Sequence, residues 1–197
     1  MRLFTTKGDQ GTTDLLGERV GKDDPRIEVL GALDETTSAL GFARAVATAD
    51  RTKELLVETQ RDLYRIMAEL AFTDDLRPAA MALTEDPVRR LEDATDALTA
   101  KVPLPPVFVL PGDTVAGAAL DVARAVARRA EREAVALAPA GHPTNPQILR
   151  YLNRLSSLLF ILARFEDREA GVTPLRAKSG VRSQESGAGR GGDSTSR

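Results

Sequence analysis

The chain has 197 residues, 42% hydrophobic and 28% charged, enough for one sizeable core and too few for two comfortable domains. A formal net charge of −2 excludes broad nucleic-acid or anionic-membrane binding as the main role, because counterion release needs an extended basic surface. With no cysteine there are neither disulfides nor thiolate metal sites, which fits a cytoplasmic protein, and 4% aromatics with abundant Ala, Leu, Arg and Glu point to a mostly α chain.

Residues 1–24 are rich in Gly, Thr and Asp and show no helical period. Asp24-Pro25 then reads as an N-cap followed by proline at the first helical position, and opens a helix to about Ala47 with Ile27, Leu30, Leu33 and Leu40 on one face. A second helix is expected over 50–72, with Leu56, Leu63, Ile66, Met67 and Leu70 as core. Thr84 to Pro87 starts a third, shorter helix to about Lys101. Val102 to Pro106 cannot be helical, and Val107 to Leu110 reads as a short extended stretch ended by Pro111-Gly112. Asp113 or Thr114 caps a fourth helix to about Ala138. The fifth, from about Gln147 to Glu169 with Gly171 as its stop, is apolar almost all round and belongs at the bundle centre.

The expected fold is therefore all-α, a five-helix up-and-down bundle preceded by a Gly/Thr-rich segment, with 1–176 as one domain and 177–197 as a disordered tail. The longest apolar run, Leu158 to Ala163, is far short of the roughly 20 residues that span a bilayer, and the N-terminus lacks an apolar signal region.

Thr5-Thr6-Lys7-Gly8-Asp9-Gln10-Gly11-Thr12-Thr13 brings together glycines, successive backbone N–H groups, hydroxyls and a cation, which suits a polyphosphate. It is not a Walker A loop, since no Gly-Lys-Ser/Thr follows; taken alone it is either a phosphate cradle or a plain turn. On the fourth helix Asp121, Arg124, Arg128 and Glu131 share one face, with Val115, Ala119, Val122, Val126 and Leu137 expected to pack on the opposite one. That stripe is either solvated or a phosphate-binding surface. In the last helix Asn153 must bond either a neighbouring helix or a ligand. Asp34 on the first helix either pairs with an arginine of another helix or subunit or is plain surface. His142, the only histidine, sits in a Gly/Pro loop with no metal-ligand spacing around it.

Taken in order, these blocks resemble the PduO-type ATP:cob(I)alamin adenosyltransferases, also called ATP:corrinoid adenosyltransferases, over residues 3–170. The resemblance rests on Thr5 with Gly8 to Thr13, Arg19-Val20, Lys22 to Arg26, Glu28, Gly31, Asp34-Glu35, Leu110-Pro111-Gly112, Arg124, Arg128 to Arg132 and Tyr151 to Ser156. It implies a ferritin-like homotrimer of five-helix bundles with active sites between subunits. There a corrinoid's cobalt(I) attacks C5′ of ATP, and triphosphate leaves. By the same resemblance Thr5, Thr6, Lys7, Gly8, Asp9, Gly11, Thr12, Thr13 and Lys22 would hold ATP, with Mg²⁺ carried by ATP rather than by protein ligands. Arg128, Arg129, Glu131, Arg132 and Asn153 would complete the pocket from another chain, and Arg124 would pair with Asp34 across the interface. Arg124, Arg128, Asp34 and Glu131 are thus the implied catalytic set. Phe108 and Phe160 would face the corrin, where an aromatic excludes the lower axial ligand; the alternative for both is core packing. A flavoprotein reductase and a B12-dependent mutase are the implied partners.

Four positions depart from the family pattern: Lys7 in the Thr-Arg/Lys-Thr-Gly-Asp run, Thr37 where Asn is expected, Asp113 in place of a second Gly, and Ser157 in place of Asp. They leave room for a second reading, a non-catalytic trimeric paralogue that binds ATP or corrinoid as sensor or escort.

Overall fold

The computed structural model describes residues 6–73, 76–104, 106–142 and 144–178. Local capping chemistry sets the helix starts. Asp24 accepts the Arg26 amide at 2.9 Å and opens α1 (Pro25–Val46), with proline in the first turn. After residues 47–49 comes α2 (Asp50–Ala71), then α3 (Asp86–Thr99). The Thr114 hydroxyl accepts the Gly117 amide at 2.9 Å and starts α4 (Val115–Ala136). Asn145 accepts the Gln147 amide at 3.0 Å and starts α5 (Pro146–Glu169), again with proline in the first turn. Gly171, at φ 72°, takes the left-handed turn that ends α5. The five expected helices are all present, with ends within about two residues of those read from the caps.

In the bundle α4 packs against both α1 and α5, α2 packs against α1 and also touches α5, and α3 packs against α5. Leu33, Leu40, Leu56, Leu63, Leu120 and Leu155 are fully buried at its centre. The packing face of α4 is not the one read from its valines. Val115 is 70% and Val122 57% exposed, whereas Ala116, Ala119, Ala123, Ala127, Ala130 and Ala134 are buried. An alanine ridge lets α1 and α5 approach α4 closely; Ala119 and Leu137 of the expected face are buried with Leu120, while Val115 and Val122 look out. Met67, expected in the core, packs partly buried against it.

Three charged residues of α5, namely Arg164, Glu166 and Asp167, are buried within the bundle. Glu166 reaches the α1–α2 turn, accepting from the Thr48 hydroxyl at 2.6 Å and from the Thr48 and Ala49 amides at 3.0 and 3.2 Å. Burial pushes its carboxyl up, but these donors outweigh burial and hold it below the ordinary glutamate value. A depressed folded pKa gives stability that is present above the unfolded value and lost as pH falls through the folded one. Glu166→Gln is therefore expected to cost about 1–3 kcal/mol at neutral pH. Its deficit against wild type, read by denaturant unfolding across a pH series, should shrink toward acid; a pH-independent difference contradicts the assignment. Tyr151 is also structural: its buried hydroxyl donates to Asp62 at 3.2 Å, and burial first, then the Asp62 charge, pushes its pKa up. Among the described residues no helix is long and apolar enough to cross a membrane.

Ala177 donates its amide to the Phe108 carbonyl at 2.8 Å, so the segment leading to the C-terminus is paired as far as the first residue expected for the tail. Residues 179–197 of that tail lie outside the described residues.

Candidate functional site

The Gly/Thr-rich segment folds into a small hairpin. Strands β1 (Thr12–Asp14) and β2 (Arg19–Gly21) pair antiparallel, Thr13 opposite Val20, after a short turn of 3-10 helix at Thr6–Gly8. Gly11, at φ 75°, permits the bend between the turn and β1. Its carbonyl accepts the Lys22 amide at 2.8 Å, and the Lys22 ammonium folds back over Gly8, 3.3 Å from where a Cβ on that glycine would sit. Gly8, Gly11 and Lys22 are thus one small cradle with a cation over bare backbone, the arrangement a polyphosphate needs. Lys7, Asp9, Gly11 and Lys22 are exposed, and Gly8, Thr12 and Thr13 are half-buried. Thr5 lies outside the described residues.

Arg19, absent from the implied ATP set, is the clamp of this hairpin. It donates to Asp14 at 2.6 Å, to the Thr12 hydroxyl at 2.8 Å and to the Lys7 carbonyl. Its role depends on a strand register that three-residue strands do not advertise in sequence. The hairpin is anchored to the bundle by Leu16, whose amide donates to the Ala71 carbonyl at 2.9 Å, and by the Arg26–Glu18 ion pair at 2.5 Å. Arg26 also forks onto Asp24, and that hydrogen bond holds the Asp24 carboxyl below its usual range. A cavity of about 250 Å³ at this junction is lined by Arg26, Glu18, Phe72 and His142, and by none of the expected site residues.

Those residues gather elsewhere. Arg124, Arg128, Ser156, Ser157 and Phe160, with Thr95 and Thr99 of α3, line a cavity of about 300 Å³ between α3, α4 and α5. The charged stripe of α4 is graded rather than uniformly solvated: Asp121 is buried, Arg124 partly so, and Arg128 exposed. Among the described residues the Arg128 guanidinium makes no hydrogen bond or ion pair, and only its carbonyl accepts, from Arg132 at 3.1 Å. Asn153 donates to Glu131 at 2.9 Å and accepts from Arg154 at 2.7 Å, so its partner is the neighbouring helix, and Glu131 holds its amide at the surface. Thr95 and Thr99, not anticipated, reach the cavity only because α3 packs on α5, a long-range contact.

Asp34 is exposed and has no partner among the described residues; it is Glu35 that pairs within the chain, with Arg129. Phe108 is 89% exposed, which excludes core packing for it, while Phe160 is half-buried in the cavity wall. The Phe108 loop is laced to the segment after α5: Leu110 donates to the Leu175 carbonyl at 2.7 Å and Asp113 accepts the Leu175 amide at 3.1 Å. Of the other departures, Ser157 lines the cavity and the buried Thr37 hydroxyl has no hydrogen-bond partner. Among the described residues no hydrogen bond or ion pair joins the hairpin to Arg124, Arg128, Glu131 or Asn153.

Residues 3–166 match the family described as cobalamin adenosyltransferase. The chain is 38% identical over 177 residues to the corrinoid adenosyltransferase of Bacillus subtilis, covering 87% of this chain and 90% of that one. It is 39% identical over 172 residues, 86% of its length, to the corrinoid adenosyltransferase PduO of Salmonella typhimurium, and spans about half, 51%, of that longer protein. Its fold superposes on a variant PduO-type ATP:corrinoid adenosyltransferase from Lactobacillus reuteri, complexed with cobalamin and ATP, with a TM-score of 0.84 and 28% identity over 90% of this chain and 100% of that one.

Proposed function

The chain belongs to the cobalamin adenosyltransferase family, and from that premise we infer that its hairpin and its α4–α5 face are the two halves of one active site. The protein transfers the 5′-deoxyadenosyl group of ATP to the cobalt(I) of a corrinoid. The cobalt electron pair forms the Co–C bond to C5′, the C5′–O bond breaks, and its electrons leave on triphosphate. The nucleophile belongs to the corrinoid, so this chain's residues position the two substrates and stabilise the leaving charge.

The observation that supports the two-half reading is a pair of cationic surfaces that no hydrogen bond or ion pair joins among the described residues. Lys22 lies over Gly8 in the hairpin, and the Arg128 guanidinium, without a partner among the described residues, stands beside the Phe160 cavity. A homotrimer would bring one chain's hairpin to another chain's Arg128, Arg129, Glu131, Arg132 and Asn153. In it Thr6, Lys7, Gly8, Asp9, Gly11, Thr12, Thr13 and Lys22 take the triphosphate, together with Thr5. Arg124 meets Asp34 of the partner subunit, which is why Asp34 is solvent-facing in the single chain. Phe108 and Phe160 contact the corrin. Mg²⁺ arrives on the triphosphate, since it binds readily through phosphate oxygens and retained waters without a protein cage. A cytoplasmic location, a flavoprotein reductase as electron donor, a B12-dependent mutase as recipient and a single domain over residues 1–176 complete this reading.

Anaerobic incubation with Mg-ATP and chemically reduced cobalamin is expected to give protein-bound, base-off adenosylcobalamin and stoichiometric triphosphate. Ligand binding with no turnover would replace the enzyme by the escort reading, whose motive is the set of departures at Lys7, Thr37 and Asp113, the last a carboxylate in the Phe108 loop.

A further inference from the structure

Beneath the cavity runs a chain of buried charges with an uneven count. Arg164, 2% exposed on α5, donates through Nε to Asp167 Oδ2 and through Nη2 to Asp121 Oδ2, each at 2.9 Å. Asp167 in turn accepts the Thr114 hydroxyl at 2.7 Å, and a Cβ on Gly117 would fall 2.3 Å from Asp167 Oδ1, so only glycine at 117 admits that carboxylate. One buried guanidinium therefore faces two buried carboxylates. Asp167 alone neutralises Arg164, and the charge of Asp121 is left over. The cation that meets it is Arg124, whose Nε lies 3.4 Å from Asp121 Oδ1.

Stability does not explain this arrangement. Burying charges costs several kcal/mol, which pairing only roughly offsets, and apolar residues of similar volume commonly do as well. What the surplus carboxylate supplies is a fixed direction for a long, flexible side chain. Arg124 retains one third of its side-chain exposure, and it lines the cavity beside Arg128 and Phe160. Arg164 backs the same wall, its guanidinium carbon 5.7 Å from the centre of the Phe160 ring.

We propose that Asp121 is a positioning residue for adenosyl transfer: anchored by Arg164, it holds Arg124 toward the corrinoid-facing cavity before any neighbouring subunit docks. The proposal rests on the reading of that cavity as the corrinoid side of the active site. In the assembled protein Arg124 is then shared between its own Asp121 and Asp34 of the partner subunit, and the internal carboxylate removes part of the ordering cost of that pair.

The test uses the full-length chain. Asp121→Asn leaves the neutral Arg164–Asp167 pair in place, and is expected to raise KM for cob(I)alamin about tenfold, the effect of one charge-assisted hydrogen bond, with KM for ATP within about twofold of wild type. Asp121→Glu keeps the charge but displaces the carboxylate, and is expected to raise the same KM by a smaller factor, which keeps the test open if the Asn variant does not fold. Asp121→Asn combined with Arg124→Ala should be no worse in kcat/KM than Arg124→Ala alone, because one acts through the other. An unchanged corrinoid KM in the folded variants, or losses that multiply in the double variant, would overturn the proposal and leave Asp121 a structural residue. If wild type itself shows no turnover, the functional reading fails separately, and equilibrium binding of cob(II)alamin to the same variants still decides the Asp121 link.

Discussion

Arg128→Ala is expected to lower kcat/KM for adenosyl transfer by about 10²–10³-fold, the usual cost of removing one preorganised stabiliser of transition-state charge. In this reaction charge develops on the triphosphate as the C5′–O bond breaks, and the corrinoid supplies the nucleophile, so the protein's largest contribution is electrostatic. Arg128 is suited to it because its guanidinium is exposed and uncommitted among the described residues. The same freedom predicts a silent effect on folding, with unfolding free energy within about 0.5 kcal/mol of wild type. Arg128→Lys restores charge without the planar fork and should fall between the two. Steady-state kinetics paired with a denaturation curve check both halves; a kinetic loss that tracks a stability loss would move Arg128 from the site to the scaffold.

Phe108→Ala should produce the second largest effect. A phenylalanine ring that is 89% exposed contributes little to the isolated fold, yet its loop is tied down by Leu110, Asp113 and Ala177. A rigid loop presenting a bare aromatic ring is built to bury it against something else. Burial of that ring on the corrin is worth about 1.5–3 kcal/mol, and its loss should reduce kcat/KM by about 10–100-fold. The fraction of bound cob(II)alamin that loses its lower axial ligand, read from its absorption spectrum, should fall with it. An unchanged spectrum with reduced turnover would reassign Phe108 to ATP or to subunit contact.

The helix ends were legible because caps are local chemistry. Asp24-Pro25, Thr114 and Gly171 each act within a few residues of themselves, whereas the Asn145 cap of α5 came only with the structure. The inward face of α4 was not, because residue size misleads there: alanines at the same helical spacing pack inside while Val115 and Val122 stay out. The hairpin escaped for another reason, its strands being too short to show an alternating pattern. In the candidate site, Arg124 and Arg128 sit one turn apart on α4, and the sequence was enough to place them together. Their joining with Phe160, Thr95 and Thr99 needed the packing of α3 and α5, and the Thr114–Asp167 bond spans fifty-three residues of chain. The hairpin docks on the end of α2, and no hydrogen bond or ion pair joins its Lys22 to Arg128 among the described residues, an outcome that no residue pattern announces.

The proposed division of the site between subunits can be tested by subunit complementation. Lys22→Ala disables the hairpin half of the site and Arg128→Ala the helical half, each alone being expected to be nearly inactive. If the halves come from different chains of a trimer, co-refolding equal amounts of the two variants should restore about one quarter of the wild-type activity, because about one interface in four then joins two intact halves. Activity that stays at the level of the separate variants, in mixed trimers shown to have formed, would contradict a site divided between subunits.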